Sequence, residues 1–493
     1  MSKRMPIFYS ALLLTGVNLL LRTVSTSFQV FLSGRIGPSG IGLLQLVLSV
    51  GSLAMTAGMA GVRTGTMYLT AEELGKKRPQ NVIWVLSGCT LYSIIFSMAV
   101  CLVLYFGAPL LAEHWIGEPQ VTASVRTYAA FVPVYCLCGV MTGYFTAANR
   151  IGALAAVEVA EQLLSMAVTV ALLLFWTGGD PARSCMAVIL GSGSAACMTL
   201  GVLVLLRLAE RNRVGKRIPI ARRLIQVALP LALADDLKAG INTTENLMVP
   251  KRLRLYPGEK DPMSAFGTVC GMVFPVLMFP AAILFGLAEL LIPELARCAA
   301  AESQGRIRYL TRRSLRLAML YGCSVGGGMY LLAQPLCMRL YGSTEAGVWL
   351  QKYALLVPML YCDAITDAMT KGLGQQKACV RYNIATSAMD VALLFVLLPR
   401  YGMEGYFVSF LVTHGINFGL SLRRLIHTAG IRIRPAVPIL TLLATVLAVV
   451  LATQLGSVWS VGVYFACLWA LLTLFRVVGR EDLRWLRGLI HKK

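Results

Sequence analysis

Residues 82–106 read VIWVLSGCTLYSIIFSMAVCLVLYF, a run without a charged side chain that follows the basic triplet Lys76-Lys77-Arg78. At a rise of about 1.5 Å per residue, a helix of this length crosses the ~30 Å hydrocarbon core of a bilayer. Similar runs continue along the chain, from Pro6–Phe31 and Ile41–Leu69 to Ala436–Leu455 and Val461–Phe475. Of 493 residues, 57% are hydrophobic and 14% charged, and the mean hydropathy is +0.70. A soluble domain has roughly 25% charged residues. The chain is therefore expected to be an all-α polytopic membrane protein with about 14 spans. A soluble enzyme, a secreted disulfide scaffold, a disordered chain and a protein with one anchor are excluded.

The net charge of +22 would suit nucleic acid if it formed one patch. It is instead distributed over alternate loops: Lys3/Arg4, Lys76–Arg78, Arg150, Arg207–Arg223, Arg297–Arg316, Lys371–Arg381, Arg423–Arg434 and Arg476–Lys493. The opposite loops are poorer in charge, apart from Lys251, Arg252, Arg254 and Lys260. By the positive-inside rule both termini are expected in the cytoplasm, with the basic loops against anionic lipid headgroups and no nucleic acid as partner. Thirteen cysteines are scattered through apolar runs without a C-x-x-C pair, which reads as small hydrophobes rather than a metal or disulfide framework. The first apolar run is broken by Arg22 and is read as a span rather than a signal peptide.

Connecting loops are short and leave no room for an external catalytic domain. Tyr128-Ala129-Ala130-Phe131-Val132-Pro133 and Tyr353-Ala354-Leu355-Leu356-Val357-Pro358 share their first two and last two residues, at corresponding places in two six-span sets. Such a repeat predicts two pseudo-symmetric lobes, 1–222 and 223–428, with residues 429–493 supplying two further helices and a cytoplasmic tail.

A charge at the bilayer centre costs at least about 2.5–3.5 kcal/mol on insertion scales, so each one asks for a reason. In the first span Thr15, Asn18, Arg22, Ser25, Thr26, Gln29 and Ser33 share a helical face, and in the second so do Gln45, Ser49, Ser52, Thr56 and Arg63. These stripes suggest a wet cationic cavity, with Arg22, Gln29, Gln45 and Arg63 as candidate substrate ligands. The alternative is that the arginines reach an interface or bond the carbonyls of a broken helix. In the seventh span Asp235, Lys238, Asn242 and Glu245 step along one face, with Asp236 beside it. Asp363, Asp367, Asn383 and Asp390 follow in later spans. Asp235, Asp236, Glu245, Asp363, Asp367, Asn383 and Asp390 are candidates for a site coupled to Na+ or H+, because oxygen ligands and shiftable carboxyls suit that use. Interhelical hydrogen bonding is the alternative. Glu158 and Glu161 add acid to the first lobe. No P-loop, H-E-x-x-H or G-x-S-x-G stands in a usable context, so the chain is expected to be a transporter without metal or organic cofactor, driven by a gradient.

Gly37-Pro38-Ser39-Gly40-Ile41-Gly42-Leu43-Leu44-Gln45, Ala57-Gly58-Met59-Ala60-Gly61-Val62 and Ala71-Glu72-Glu73 resemble the opening of the stage V sporulation protein B family, a branch of the multidrug/oligosaccharidyl-lipid/polysaccharide (MOP) flippase superfamily. Leu247–Leu253, Leu291–Leu295, Lys371–Gln375, Gly402–Gly405 and Gly479–Asp482 follow in the same order. The resemblance implies a two-lobed, V-shaped MATE-like bundle of twelve core helices, with two added helices forming a lipid-tail groove. It also implies a monomer that moves lipid-linked saccharides by alternating access, lipid II-like precursors being the best-known case. Arg22 matches a cationic position of the related lipid II flippases. A second arginine of that span is replaced by Phe28, the span-eight arginine is missing with Glu289 near the end of that helix, and Arg63 falls where relatives often carry proline. Two readings follow: a cell-membrane flippase for an undecaprenyl-pyrophosphate-type saccharide, or a cation-coupled multidrug antiporter of the same superfamily.

Overall fold

The computed structural model describes residues 5–76, 78–209, 220–432, 436–454, 460–475 and 477. Lys3, Arg4, Lys77, the middle of the Arg207–Arg223 loop and the tail carrying Gly479–Asp482 lie outside the described residues, as do the side chains of Thr15 and Asn18. Among the described residues the chain is helical throughout, with no strand. Among these residues, eight helices are long and apolar enough to cross a membrane, or nine if one bent pair is a single span.

The first six runs form α1 (Met5–Met59), α2 (Val62–Gly75), α3 (Val82–Leu110), α4 (Thr122–Ala147), α5 (Ile151–Phe175) and α6 (Pro181–Leu208). Next come α7 (Ala221–Leu253), the short α8 (Pro262–Gly267) and α9 (Phe274–Met278), and α10 (Ala281–Ala300). The rest is α11 (Gln304–Tyr341), α12 (Thr344–Ala354), α13 (Val357–Gly372), α14 (Gln376–Ala429), α15 (Ala436–Thr453) and α16 (Ser460–Leu474). Two expected loops are replaced by single kinks. The first and second runs are joined in α1 across Gly37 (φ 78°, ψ 170°), and the eleventh and twelfth in α14 across Gly402 (φ 57°, ψ −141°). Only glycine enters such backbone regions without strain. The second run is itself divided where Ala60 (φ 41°) and Gly61 (φ 70°) separate α1 from α2.

Two compact units emerge. One holds the described residues up to Gly271 together with Asp390–Tyr406; the other holds Met272–Met389 and the described residues from Phe407 onward. In the first unit α7 packs on α1 and α2. The expected boundary at 222/223 follows the sequence repeat, whereas this division follows packing. The repeated hexapeptides also differ locally. Pro133 lies within the unbroken α4, while Pro358 opens α13 after a break at Leu355 and Leu356.

Close crossings in the first unit rely on glycine. Gly42 and Gly267 bring α1 and α8 into backbone contact, with Gly267 lying against the Pro38 carbonyl. A broad apolar face of α3, including Leu91, Val103 and Phe106, is exposed, as a lipid-facing helix requires. In the second unit, Ala444, Ala448 and Ala452 of α15 form a small-residue stripe that receives Tyr464, Leu468 and Leu472 of α16. Tyr464 also donates to the Cys323 carbonyl on α11 at 2.9 Å.

The helix breaks free carbonyls that a bilayer cannot hydrate. Pro399 lacks the amide that would bond Phe395, and Arg252 takes its place. Its Nε and Nη2 donate to the Phe395 carbonyl at 3.2 and 2.8 Å, and its guanidinium stacks 3.6 Å from the Phe395 ring centroid. Lys251 donates to the His114 carbonyl at 3.3 Å, and Arg254 pairs with Glu118 at 3.8 Å. These three basic residues, exceptions to the charge asymmetry, therefore have structural work at helix ends. The segment from Thr268 to Val273 is wound as a π-helix, and within the second unit a bend separates α9 from α10. Within the second unit Tyr341, Tyr361 and Tyr321 donate to the carbonyls of Met272, Leu277 and Pro280 at 3.1, 3.0 and 2.8 Å.

Two substitutions check this account. Arg252→Ala leaves the Phe395 carbonyl without its donor and should cost about 1.5–3 kcal/mol, the scale of a charged hydrogen bond, read as a lower Tm in detergent. Gly267→Leu drives a side chain into the α1 backbone and should destabilise by more than the ~1–3 kcal/mol of ordinary overpacking. A wild-type Tm for either variant contradicts it.

Candidate functional site

The break between α1 and α2 and the polar face of α7 shape a cavity of about 480 Å³ within the first unit. That volume lies in the range of small-molecule sites, roughly 300–1,000 Å³. Ser49, Ser52 and Thr56 of α1, Arg63 and Thr64 of α2, and Asp235, Lys238 and Asn242 of α7 line it. The α1 and α7 faces are held in register by side chains. Thr243 donates to the Ser49 carbonyl at 3.0 Å, and Asn246 Nδ2 to the Ser49 hydroxyl at 2.9 Å. Ser49 in turn donates to the Gln45 carbonyl at 2.7 Å. Tyr92 of α3 donates to Ala60 at 3.1 Å and closes the carbonyl left by the break.

Arg63 is fixed from behind. Gly139 and Gly143, one turn apart on α4, let α2 approach so closely that a Cβ on Gly143 would stand 2.5 Å from the Arg63 carbonyl. The small-x-x-x-small pattern has this use in membrane helix pairs. Its backbone is held on one side while its side chain is exposed on the cavity side. Lys238 supplies a second cation and Asp235 an anion. Among the described residues, no ion pair ties Asp235 to Lys238. The cavity thus presents one bidentate donor, one ammonium, one carboxylate and several hydroxyl and amide groups, an array suited to a polar anion carrying hydroxyls.

The other candidate ligands are placed differently. Arg22, Gln29 and Gln45 are not among the residues lining this cavity. Arg22 is exposed on the part of α1 that precedes the Gly37 kink. Gln29 donates to the Gly271 carbonyl at 3.3 Å, a bond to the π-wound segment.

The seven candidate coupling residues are divided between the two units. Asp235 lines the cavity, while Asp236 is half-buried beside it on α7. Glu245 and Asp390 stand side by side within the first unit, each carboxyl in reach of the other. Asp390 is only 5% exposed. In the second unit Asp363 accepts from Asn417 Nδ2 at 3.3 Å, and Asp367 pairs with Lys371 at 2.6 Å. Asn383 is half-buried on α14. Among the described residues no group of three or more His, Cys, Asp and Glu is arranged to hold a metal ion.

Asn417, which meets Asp363, and Tyr406, 3.7 Å from the Cys270 thiol, are not legible as site residues, because their partners lie far along the chain. Glu161 accepts from Thr199 at 3.0 Å, so it bridges α5 and α6. Glu289 is exposed on α10.

The carboxyl pair sets up a stability test. Glu245→Gln keeps a hydrogen bond to Asp390 and should change unfolding stability by less than about 1 kcal/mol, whereas Asp390→Ala leaves Glu245 without its partner and should cost about 1–3 kcal/mol. Equal losses in chemical denaturation would mean that the pair is not the contact that matters.

Comparison with known proteins agrees with this architecture. The MatE family model matches residues 15–171. Stage V sporulation protein B of Bacillus subtilis (strain 168) is 20% identical over 432 residues, covering 85% of this chain and 82% of that protein. Among solved structures, the lipid II flippase MurJ superposes with a TM-score of 0.70 at 11% identity, covering 96% of this chain and 99% of MurJ. A multidrug resistance MATE family transporter of the MOP superfamily gives a TM-score of 0.66 at 14% identity, covering 85% of this chain and all of that one. The chain is a multi-pass membrane protein with the fold shared by MATE transporters and MurJ, and its sequence resembles Stage V sporulation protein B along most of its length.

Proposed function

We propose that this protein is a flippase of the MOP superfamily that moves a lipid-linked saccharide, carried on a polyprenyl phosphate or pyrophosphate, across the cell membrane by alternating access. The observation that carries the reading is the cavity holding Arg63 and Lys238 beside hydroxyls and amides. A phosphate moving through a bilayer needs temporary compensation of its charge, and a guanidinium gives it two parallel hydrogen bonds at any working pH. Lys238 adds a point charge, and Ser52 and Asn242 can meet sugar hydroxyls. Asp235 keeps the site from being purely cationic, which favours release over permanent capture. The similarity to Stage V sporulation protein B and to MurJ supports this choice of cargo.

The carboxyl pair Glu245–Asp390 is the proposed coupling element, working with Na+ or H+. Both termini are assigned to the cytoplasm, the chain acts as a monomer, and anionic lipids gather at the basic loops. A second reading, a cation-coupled multidrug antiporter, is favoured by Asp235 inside the cavity and by the MATE similarity.

Binding of a purified polyprenyl pyrophosphate in nanodiscs tests the substrate reading. Arg63→Ala should weaken affinity by about tenfold to a hundredfold, matching the roughly 1.5–3 kcal/mol of a lost charged hydrogen bond, and Arg63→Lys should recover part of it. Unchanged affinity in Arg63→Ala and Lys238→Ala returns both to structural roles. For coupling, the Glu245→Gln, Asp390→Asn double variant should bind substrate normally yet lose its response to imposed sodium or proton gradients. A retained response removes the pair from the mechanism.

A further inference from the structure

The cavity ends where α2 meets the beginning of α7. Gly61 lines the cavity and also lies against the Ala228 backbone. One turn further along α2, a Cβ on Gly65 would stand 2.9 Å from Leu224 Cδ1. Two glycines spaced by four on α2 thus receive Leu224 and Ala228, also spaced by four, on α7. Beyond these contacts Arg223 reaches back to the far end of α2, with Nη2 2.5 Å from Glu72 Oε2 and Nη1 3.8 Å from Glu73 Oε1.

We propose that this α2–α7 zipper is a gate through which the cavity opens toward the N-terminal end of α7, with Arg223 and the Glu72–Glu73 pair as its latch. Four observations distinguish a gate from simple packing. First, Gly61 belongs to both cavity and zipper, so parting α2 from α7 lengthens the cavity. Second, the apolar contact is thin: glycine against leucine and alanine separates without repacking large side chains. Third, Ala60 and Gly61, both at positive φ, interrupt the helix at the head of α2 and give it a hinge.

Fourth, each carboxylate of the latch keeps a hydrogen-bond partner when Arg223 leaves. Glu72 also holds Lys76 at 2.6 Å, and the 4%-exposed Glu73 accepts from Asn81 Nδ2 at 2.9 Å. Both partners lie on or next to α2 and stay when Arg223 leaves. The Arg223 side chain is 40% exposed, so it passes easily into water. With side chains 40% and 25% exposed, the Arg223–Glu72 pair is of the solvent-screened kind that breaks at little cost. The Arg223–Glu73 contact, at 3.8 Å, is longer than a direct hydrogen bond. The gate rests on the reading of this cavity as the substrate path.

Hydrogen–deuterium exchange of the full chain in nanodiscs, without substrate, tests it. Arg223→Glu should raise exchange in peptides covering 220–232 by about fivefold or more, the effect of roughly 1 kcal/mol, and leave 240–253 unchanged. Combining it with Glu72→Arg should restore protection, and the milder Arg223→Gln should give a smaller rise in the same peptides. In a second arm, a disulfide between Gly65→Cys and Leu224→Cys should abolish transport of a polyprenyl pyrophosphate while leaving its binding, with transport regained on reduction. Unchanged exchange in Arg223→Glu, an equal rise over 240–253, or full transport by the cross-linked protein overturns the gate. Exchange that responds as expected, in a protein that binds no polyprenyl pyrophosphate, leaves the gate standing and removes the proposed substrate instead.

Discussion

A peptide carbonyl that loses its helical partner inside a bilayer has no water to turn to, so the protein must supply a donor. This constraint governs where the helices can break. The carbonyl of Phe395, freed by Pro399, is met by Arg252; that of Ala60 is met by Tyr92. Along the π-wound and bent segment, Gln29 bonds Gly271 within the first unit, while three tyrosines bond Met272, Leu277 and Pro280 within the second. Each break is thereby held in one geometry rather than left to water, and irregular backbone persists at membrane depth where it can shape a cavity.

The break at Ala60–Gly61 has the largest functional consequence. It ends α1 and begins α2 with a new direction, so that Ser49 and Ser52 before it and Arg63 after it face one space with α7. Two glycine stripes then position α2. Gly139 and Gly143 of α4 hold its backbone at Arg63, and its own Gly61 and Gly65 receive α7. The backbone at Arg63 is thereby held against α4 while its side chain faces the cavity.

Much of this was legible in the sequence. Long uncharged runs such as Val82–Phe106 fix the class of fold, because no soluble core can use so many consecutive apolar residues. The stripes Ser49–Ser52–Thr56 and Asp235–Lys238–Asn242 were readable from helical spacing, and both line the cavity with Arg63. Kinks were not readable as kinks: Gly37 and Gly402 looked like loops, since a sequence does not distinguish a single positive-φ residue from a short connection. Polar stripes also mix ligands with structural donors. Gln29 shares its face with Arg22 yet bonds a backbone carbonyl that becomes free only once the distant 268–273 segment winds as a π-helix. The partnership of Glu245 with Asp390 depends on tertiary packing between α7 and the middle of α14, which no local pattern encodes.

Charge compensation separates the two transport readings proposed for the cavity. A site built for a lipid-linked phosphate uses Arg63 and Lys238 as ligands; a site built for organic cations uses Asp235 and must tolerate those cations nearby. Transport in one proteoliposome preparation, offered both a fluorescent polyprenyl-pyrophosphate saccharide in the membrane and a cationic dye in the buffer, puts them in direct competition. Translocation of the labelled lipid to the opposite leaflet, without accumulation of dye, is the result expected here. Dye accumulation with the labelled lipid left in its original leaflet would contradict it.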